Sequence, residues 1–557
     1  MAAAEKCHEM WGCADKSTIE TIKTQTALIE SELKEHLAGT KKQIVKHLNC
    51  PHPIERHANL LFSKSLPHDA NGNVNKRQLF KLIESCRNGN IKQMNSVKIG
   101  GTLKLHSCSN VMTRELFGRF KPETLLGVPP RVTSRTAGAE MVDLYWRALT
   151  RDVLYSDWPT SPLIAAAIQD LNACGSAYKG PKPVTITNIF RGRGDGVDIG
   201  PLVSQFLFLS FSQGSISIKQ LRASAQPNVD YMTLISQYIS CQNGTVTQTA
   251  IPSTLPLRYL VTPRDGATAV HSDMPVQWAQ NAVQILTSLN APFNNLNPFS
   301  PANNSKPKIP RITNEFNFID CGAIDCVDLI ARAIRLAFNT VWWYKWHIFR
   351  LRPENTGYLV QLNKTNQQHL LKHCPQLSDV ILNSAVLPRV LSTFGSYLLP
   401  QAFPEGCPLH PSFSCGHCTM VTSSVTIVKA FYDGSFLMNA VIPDAIVGNT
   451  LVPLTQGASQ VQLRVDQELN KIINNVAYWR DTAGVHYMSD ELHGIPMGEA
   501  IAESVLEDCV QRYSFAAGFQ FRNHAGKLVT ITNFKAAPFN KSVGEASSSV
   551  VDDENTN

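Results

Sequence analysis

The chain has 557 residues, 17% of them charged and 43% apolar, with Lys+Arg 51 against Asp+Glu 44 and a formal net charge of +7. That is the composition of a globular chain with room for a large core. The basic excess is spread without like-charge blocks, so a nucleic-acid-binding tail is excluded, and no apolar run of about 18 residues is present to span a membrane.

The opening stretch, MAAAEKCHEMWGCADKS, lacks the apolar core of a secretory signal. From Lys16 to Asn49, apolar residues at Ile19, Ile22, Ala27, Leu33, Leu37, Ile44 and Leu48 predict an amphipathic helix within an N-terminal extension over residues 1–50. A turn-rich link from Leu66 to Gly72 precedes a predicted helix at Lys76–Cys86. Val97–His106 alternates apolar and polar residues and predicts a short strand. Residues 136–175 and 196–212 read as helices, the second opened by Gly200-Pro201. The Asn-, Pro- and Ser-rich stretch 289–312 predicts a surface loop.

Beyond that loop, Leu329, Ile330, Ala333, Ile334, Ala337, Phe338 and Val341 trace a long helix over Ala323–His347. This places Lys345 near its end and Arg352 just past it. Two further helices are predicted at Cys418–Phe431 and Val461–Trp479, a second minor β piece at 517–532, and a disordered acidic tail at 542–557. The fold class is mainly α with minor β hairpins, in one large domain over 51–541. The cysteines, Cys 14 in all, are too sparse for a disulfide framework and read as free thiols, with the cytoplasm the expected compartment. The C-x2-C at Cys415 and Cys418 lacks a second pair at zinc spacing.

Three segments carry the chemistry: Lys345-x6-Arg352-Pro353, Cys415-Gly416-His417, and Arg480-x5-His486-x3-Asp490. Taken singly, each is ordinary: a helix end rich in cations, a helix cap, a surface pair. Together they supply what a tetrahedral oxyanion needs. Arginine forks match its oxygens, lysine adds a compact charge, and the N–H groups at a glycine-led helix start point outward. A helical turn sets Asp490 beside His486, where a carboxylate orients an imidazole.

At these residues the chain resembles the vanadium-dependent haloperoxidases, which share their site with the type 2 phosphatidic-acid-phosphatase-like acid phosphatases. Similarity to the algal bromoperoxidases extends through Leu399–Ser412, Ala483–Asp490, Gly498-Glu499-Ala500, Gly194–Phe206 and Leu66–Asp69, roughly residues 55–535, with nothing usable in 1–50. The resemblance implies two four-helix bundles, with the active site within 340–500 and vanadate as cofactor. His486 would be the axial vanadium ligand. Lys345, Arg352, Arg480 and the Gly416 backbone would hold the remaining oxygens, with His417 as the acid–base group and His410 a second histidine beside it. Trp342 falls where halide preference is tuned, Asp490 supports His486, and Asp273 is the candidate buried carboxylate for the cage cations.

The expected reaction takes hydrogen peroxide and a halide, bromide or iodide before chloride, to a hypohalous acid equivalent that halogenates small organic acceptors. The expected assembly is a homodimer or larger homo-oligomer. Two departures stand out. Cys415 replaces the usual serine with a weaker donor that peroxide can oxidise, and Ser414 replaces the usual proline or glycine. Two alternatives remain open: an acid phosphatase with His486 as nucleophile, and an inactive relative, for which Cys415 is the motive.

Overall fold

The computed structural model describes residues 55, 57–112, 127–300, 309–444 and 448–534. The helix expected at 16–49, the loop segment 301–308 and the tail at 542–557 lie outside them. The longer helices, in chain order, are α1 (Lys76–Asn88), α2 (Arg135–Leu149), α3 (Pro162–Ala173), α4 (Ile235–Gln242), α5 (Pro263–Ser272), α6 (Pro275–Ser288), α7 (Ala323–Ile348), α8 (Pro353–Lys364), α9 (Val386–Phe394), α10 (Gly416–Phe431), α11 (Val465–Thr482) and α12 (Met488–Val510). Local chemistry sets their starts. Asn75, Ser134, Ser161 and Thr262 accept hydrogen bonds from first-turn N–H groups, and Pro162, Pro263, Pro275 and Pro353 occupy first positions where no N–H is missed.

Helix α10 is the centre of the second bundle and packs against α6, α7, α11 and α12. Nearly every residue along it is buried, including Thr419, Thr422, Ser423, Ser424 and Thr426. Small and hydroxylated side chains let neighbouring backbones approach closely. On α12, Gly494 and Gly498 stand four residues apart on the face turned to α10. A Cβ at Gly498 would lie 2.5 Å from Thr422 Cβ and 2.7 Å from the Thr419 carbonyl. On the other side of the molecule, α2 packs against α3, α9 and α11, and so joins the first group of helices to the second.

The β structure is confined to short antiparallel pairs. Phe211–Gln213 pairs with Ile216–Ile218, and Gly518–Arg522 with Leu528–Thr532. Between α10 and α11, Leu437–Asn439 pairs with Gln462–Arg464 and Val441–Pro443 with Leu451–Pro453. Helix α11 therefore starts at Val465, later than its apolar pattern suggested. The mainly helical class with minor hairpins is the one expected. Among the described residues, no helix is long and apolar enough to cross a membrane.

Two expectations fail. Val97–His106 is not a strand but an irregular strap, whose backbone donates to Ser65, Gly244 and Leu409 carbonyls instead of a sheet partner. Residues 196–212 hold only a single helical turn at Gln205–Leu207. The physical reason lies at its start, where Gly196 and Gly200, like Gly194 just before them, take positive φ, a conformation incompatible with a helix.

The α10–α12 contact yields the first prediction. Gly498→Ala gains helix propensity, about 1 kcal/mol, but forces α12 away from α10 at an overpacking cost of about 1–3 kcal/mol. A lower thermal unfolding midpoint is expected by calorimetry; a higher one would show that α12 can shift freely.

Candidate active site

Helix α7 ends at Ile348 because Phe349 enters the left-handed region at φ 53, donating its N–H to the Lys345 carbonyl. A bulky residue takes up this conformation at a cost of about 1–3 kcal/mol, and burial of its ring against Trp346 offsets it. The turn sends the chain back past the helix end, so that Lys345, Arg350 and Arg352 enter one region. Helix α10 begins opposite them, with Cys415 as N-cap, and the α11–α12 junction closes the third side with Arg480, His486 and Asp490.

The cations here are solvated by backbone carbonyls rather than by counterions. Lys345 Nζ, fully buried, donates to the carbonyls of Pro411 (3.1 Å), Ser412 (2.7 Å) and Ser414 (2.5 Å). Arg352 donates to the carbonyls of His410 (2.9 Å) and Val485 (2.6 Å), and reaches His486 Nε2 at 3.1 Å and His410 Nδ1 at 3.0 Å. Arg480 donates to the Val270 carbonyl at 3.2 Å, while its buried Nε has no protein acceptor. Burial, with Arg352 adding repulsion, pushes Lys345 well below its usual range, and burial brings Arg480 down to about 10. Each shift shows that positive charge is costly here until an anion shares the pocket.

His486 is held in one tautomer. Its Nδ1 lies 2.8 Å from Asp490 Oδ2, which makes Nδ1 the protonated nitrogen and leaves the Nε2 lone pair facing the cage. Burial and the Arg352 charge keep the ring neutral. Asp490 also accepts from Ser412 Oγ (2.5 Å) and from Arg350 (2.6 Å), which pairs in turn with Glu140 at 3.0 Å. Burial opposes ionisation of Asp490, yet Arg350, His486 and Ser412 outweigh it and hold the carboxyl well below the usual range.

The remaining expected residues fall at the mouth. His417 is half-buried, and burial followed by Arg480 and Lys345 keeps its imidazole neutral. His410 stacks under Trp342 at 4.8 Å between ring centroids, and the Trp342 indole donates to the His106 carbonyl. A Cβ added at Gly416 would meet Trp342, Met420 and Lys345 atoms at 3.5–3.9 Å, so these three side chains pack in ordinary contact around the helix start. The structure thus brings Lys345, Arg352, Cys415, Gly416, His417, Arg480, His486, Asp490, His410 and Trp342 together. Asp273 is a correction: it caps the C-terminal end of α5, is only partly buried, and pairs with Arg222 at 3.1 Å, a cation outside the cage.

Sequence reasoning missed the groups that support the cage. Arg350 lies inside the recognised segment but outside its motif. Lys64 and Glu354 form a fully buried pair at 2.9 Å, and Glu354 also accepts from the Cys407 N–H, which fastens the 405–410 loop behind Arg352. The α11–α12 region also buries Asp481 and Glu491, whose oxygens meet no donor in hydrogen-bonding geometry. Glu491 lies beside the Cys415 and Cys418 thiols and the Asp481 carboxyl. One ligand-type atom each from Cys415, His486 and Glu491 falls within 4.8 Å of the others.

The donor set fits a tetrahedral oxyanion such as vanadate on two observations: the orphaned Arg480 Nε, and the His486 Nε2 that faces the Arg352 guanidinium. Comparison with known proteins agrees. The family described as the VCPO second helical-bundle domain matches residues 391–514. A vanadium-dependent bromoperoxidase of Corallina officinalis is 28% identical, covering 83% of this chain and 88% of that protein. One from Ascophyllum nodosum is 29% identical, covering 84% and 86%. The solved homohexameric vanadate-dependent bromoperoxidase AnII of Ascophyllum nodosum superposes with a TM-score of 0.75 at 22% identity, covering 85% of this chain and 84% of its own. The fold is the helical one of that solved bromoperoxidase. Over most of its length the chain is similar in sequence to vanadium-dependent bromoperoxidases.

The buried acids generate a pH prediction. Burial, then the neighbouring Asp490 charge, raises Glu491 from 4.5 to about 8. Between those values the folded chain keeps a proton that the unfolded chain has lost, so stability falls as pH rises through the window. Glu491→Gln removes this dependence. From about pH 5 to about pH 8.5 the variant is expected to lose less stability than the parent, by an amount on the order of 1–3 kcal/mol, in denaturant titrations at each pH. Equal losses would mean that Glu491 ionises freely in the folded chain.

Proposed function

We infer that this protein is a vanadate-dependent haloperoxidase that uses hydrogen peroxide to oxidise halide, bromide in the first place, to a hypohalous acid equivalent for halogenation of small organic acceptors. The observation that carries the reading is His486: a neutral imidazole, fixed by Asp490, presents Nε2 into a pocket of desolvated cations. The similarity to named bromoperoxidases over most of the chain supports bromide as the halide, and the homohexameric structural relative supports a homo-oligomeric assembly.

Bound vanadate would supply a Lewis-acid centre at which peroxide becomes electrophilic toward halide. The chain's own residues do the rest. His486 would offer vanadate a nitrogen ligand, while Arg352, Arg480, Lys345 and the first-turn N–H groups of Gly416 and His417 would neutralise its oxygens. For Lys345 this means exchanging one of its carbonyl acceptors for the anion. Neutral His417, at the mouth, accepts the proton that peroxide loses on entry, the role of a general base. His410 and Trp342 wall the approach from the other side.

Titrating vanadate into metal-free protein, with bromination and p-nitrophenyl phosphate hydrolysis assayed in parallel, tests this reading. Vanadate-dependent bromination is expected. Hydrolysis alone would replace the reading with the phosphatase, and neither activity would make the chain an inactive relative. Asp490→Asn, which unfixes the His486 tautomer, is expected to weaken vanadate binding about 10–100-fold by isothermal titration. Cys415→Ser, restoring a stronger donor, is expected to tighten it about tenfold; an unchanged affinity would place the Cys415 side chain outside the anion's contacts.

A further inference from the structure

We propose that Cys415 and Cys418 are a redox couple, closed to a disulfide by hydrogen peroxide and controlling whether the site accepts vanadate. The inference takes its oxidant from the haloperoxidase reading but stands on the geometry of these two residues.

The sequence Cys415-Gly416-His417-Cys418 starts a helix, with Cys415 as N-cap. The Cys415 sulfur accepts the Cys418 backbone N–H at 3.4 Å, so it lies directly over the residue that carries the second thiol. At a helix start the two positions sit at bridging distance with little backbone movement, and free N–H groups favour sulfur-centred negative charge as it develops. Neither thiol is committed to a disulfide. Cys418 Sγ makes a long contact of 3.7 Å to the Glu491 carbonyl and lies beside the Glu491 carboxyl and the Thr422 hydroxyl. Cys415 Sγ lies within 4.8 Å of a His486 ring nitrogen, beside the residues that would hold the oxyanion.

The chemistry balances. The Cys415 sulfur attacks one peroxide oxygen, the O–O bond breaks, and water leaves as the sulfenic acid forms. Cys418 then attacks that sulfur; the S–S bond forms and the sulfenic oxygen departs with the Cys418 proton as a second water. Two thiols lose two electrons and one peroxide is reduced to two waters. Burial, reinforced by Glu491, pushes both thiols up, while Lys345 and Arg480 pull Cys415 back. The couple closes when peroxide persists without halide to consume it. Closure draws the Cys415 sulfur toward Cys418, away from the cage, and removes the thiol proton as a donor.

The test treats vanadate-free, full-length protein with hydrogen peroxide, blocks the remaining thiols, and maps peptides by mass spectrometry. Vanadate affinity is measured by calorimetry before oxidation, after it, and after reduction and desalting. A Cys415–Cys418 cross-link is expected, with an affinity at least tenfold weaker that recovers on reduction. Cys418→Ser is expected to bind vanadate as the parent does before oxidation, and afterwards to hold a sulfenic acid at Cys415 that a dimedone probe traps. No cross-link in the parent, or a cross-link that leaves affinity unchanged, overturns the proposal. The cross-link is read by mass alone, so it is scored separately from bromination: a cross-link in a protein that never brominates sinks the functional reading and leaves the couple intact.

Discussion

The site depends on a desolvation problem. Lys345, Arg352 and Arg480 are buried with no carboxylate among the described residues bound directly to them, and they are solvated by the peptide carbonyls of Val270, His410, Pro411, Ser412, Ser414 and Val485. Carbonyl dipoles lower the cost of burying a cation without cancelling its charge. The arrangement works in both directions. The cations fix the 410–414 loop and the α11–α12 junction, and the loops in turn hold the cations at one locus. An arriving oxyanion finds the desolvation cost already met by folding energy elsewhere in the core, the electrostatic preorganisation that an anion-activating site requires.

The elements legible in sequence were those where one residue type dominates a local choice. The apolar period of α7, the helix start at Gly416 and the His486–Asp490 spacing are local signals, and each placed its residues correctly relative to the others. What failed was non-local. The strap at 97–106 alternates like a strand, but its partners are loop carbonyls brought near only by the fold. The 196–212 stretch is apolar enough for a helix, yet positive-φ glycines break it. Asp273 looked available to the cage because sequence cannot show that Arg222 reaches it first. Lys64 and Glu354 lie 290 residues apart, and no local pattern announces such a pair.

The most informative contrast is between two adjacent acids. Asp490 faces Arg350, Ser412 and His486 and stays ionised, whereas Glu491, on another face of the same helix turn, meets Asp481 and two thiols and is held toward neutrality. Burial is equal for both, so the partners decide the outcome. That split governs the charge presented to an anion. Asp490 is balanced by Arg350, itself shared with Glu140, while protonated Glu491 and Asp481 contribute nothing. The excess positive charge of Lys345, Arg352 and Arg480 is left for the ligand. Were Glu491 to ionise, it would place a carboxylate within 4.8 Å of the Cys415 sulfur and a His486 ring nitrogen and would work against anion binding nearby. The thiol at 415 belongs to the same environment. A sulfur is less demanding of hydrogen bonds than a hydroxyl, and beside a carboxyl that has no donor of its own, it can remain buried without leaving a further strong polar group unsatisfied.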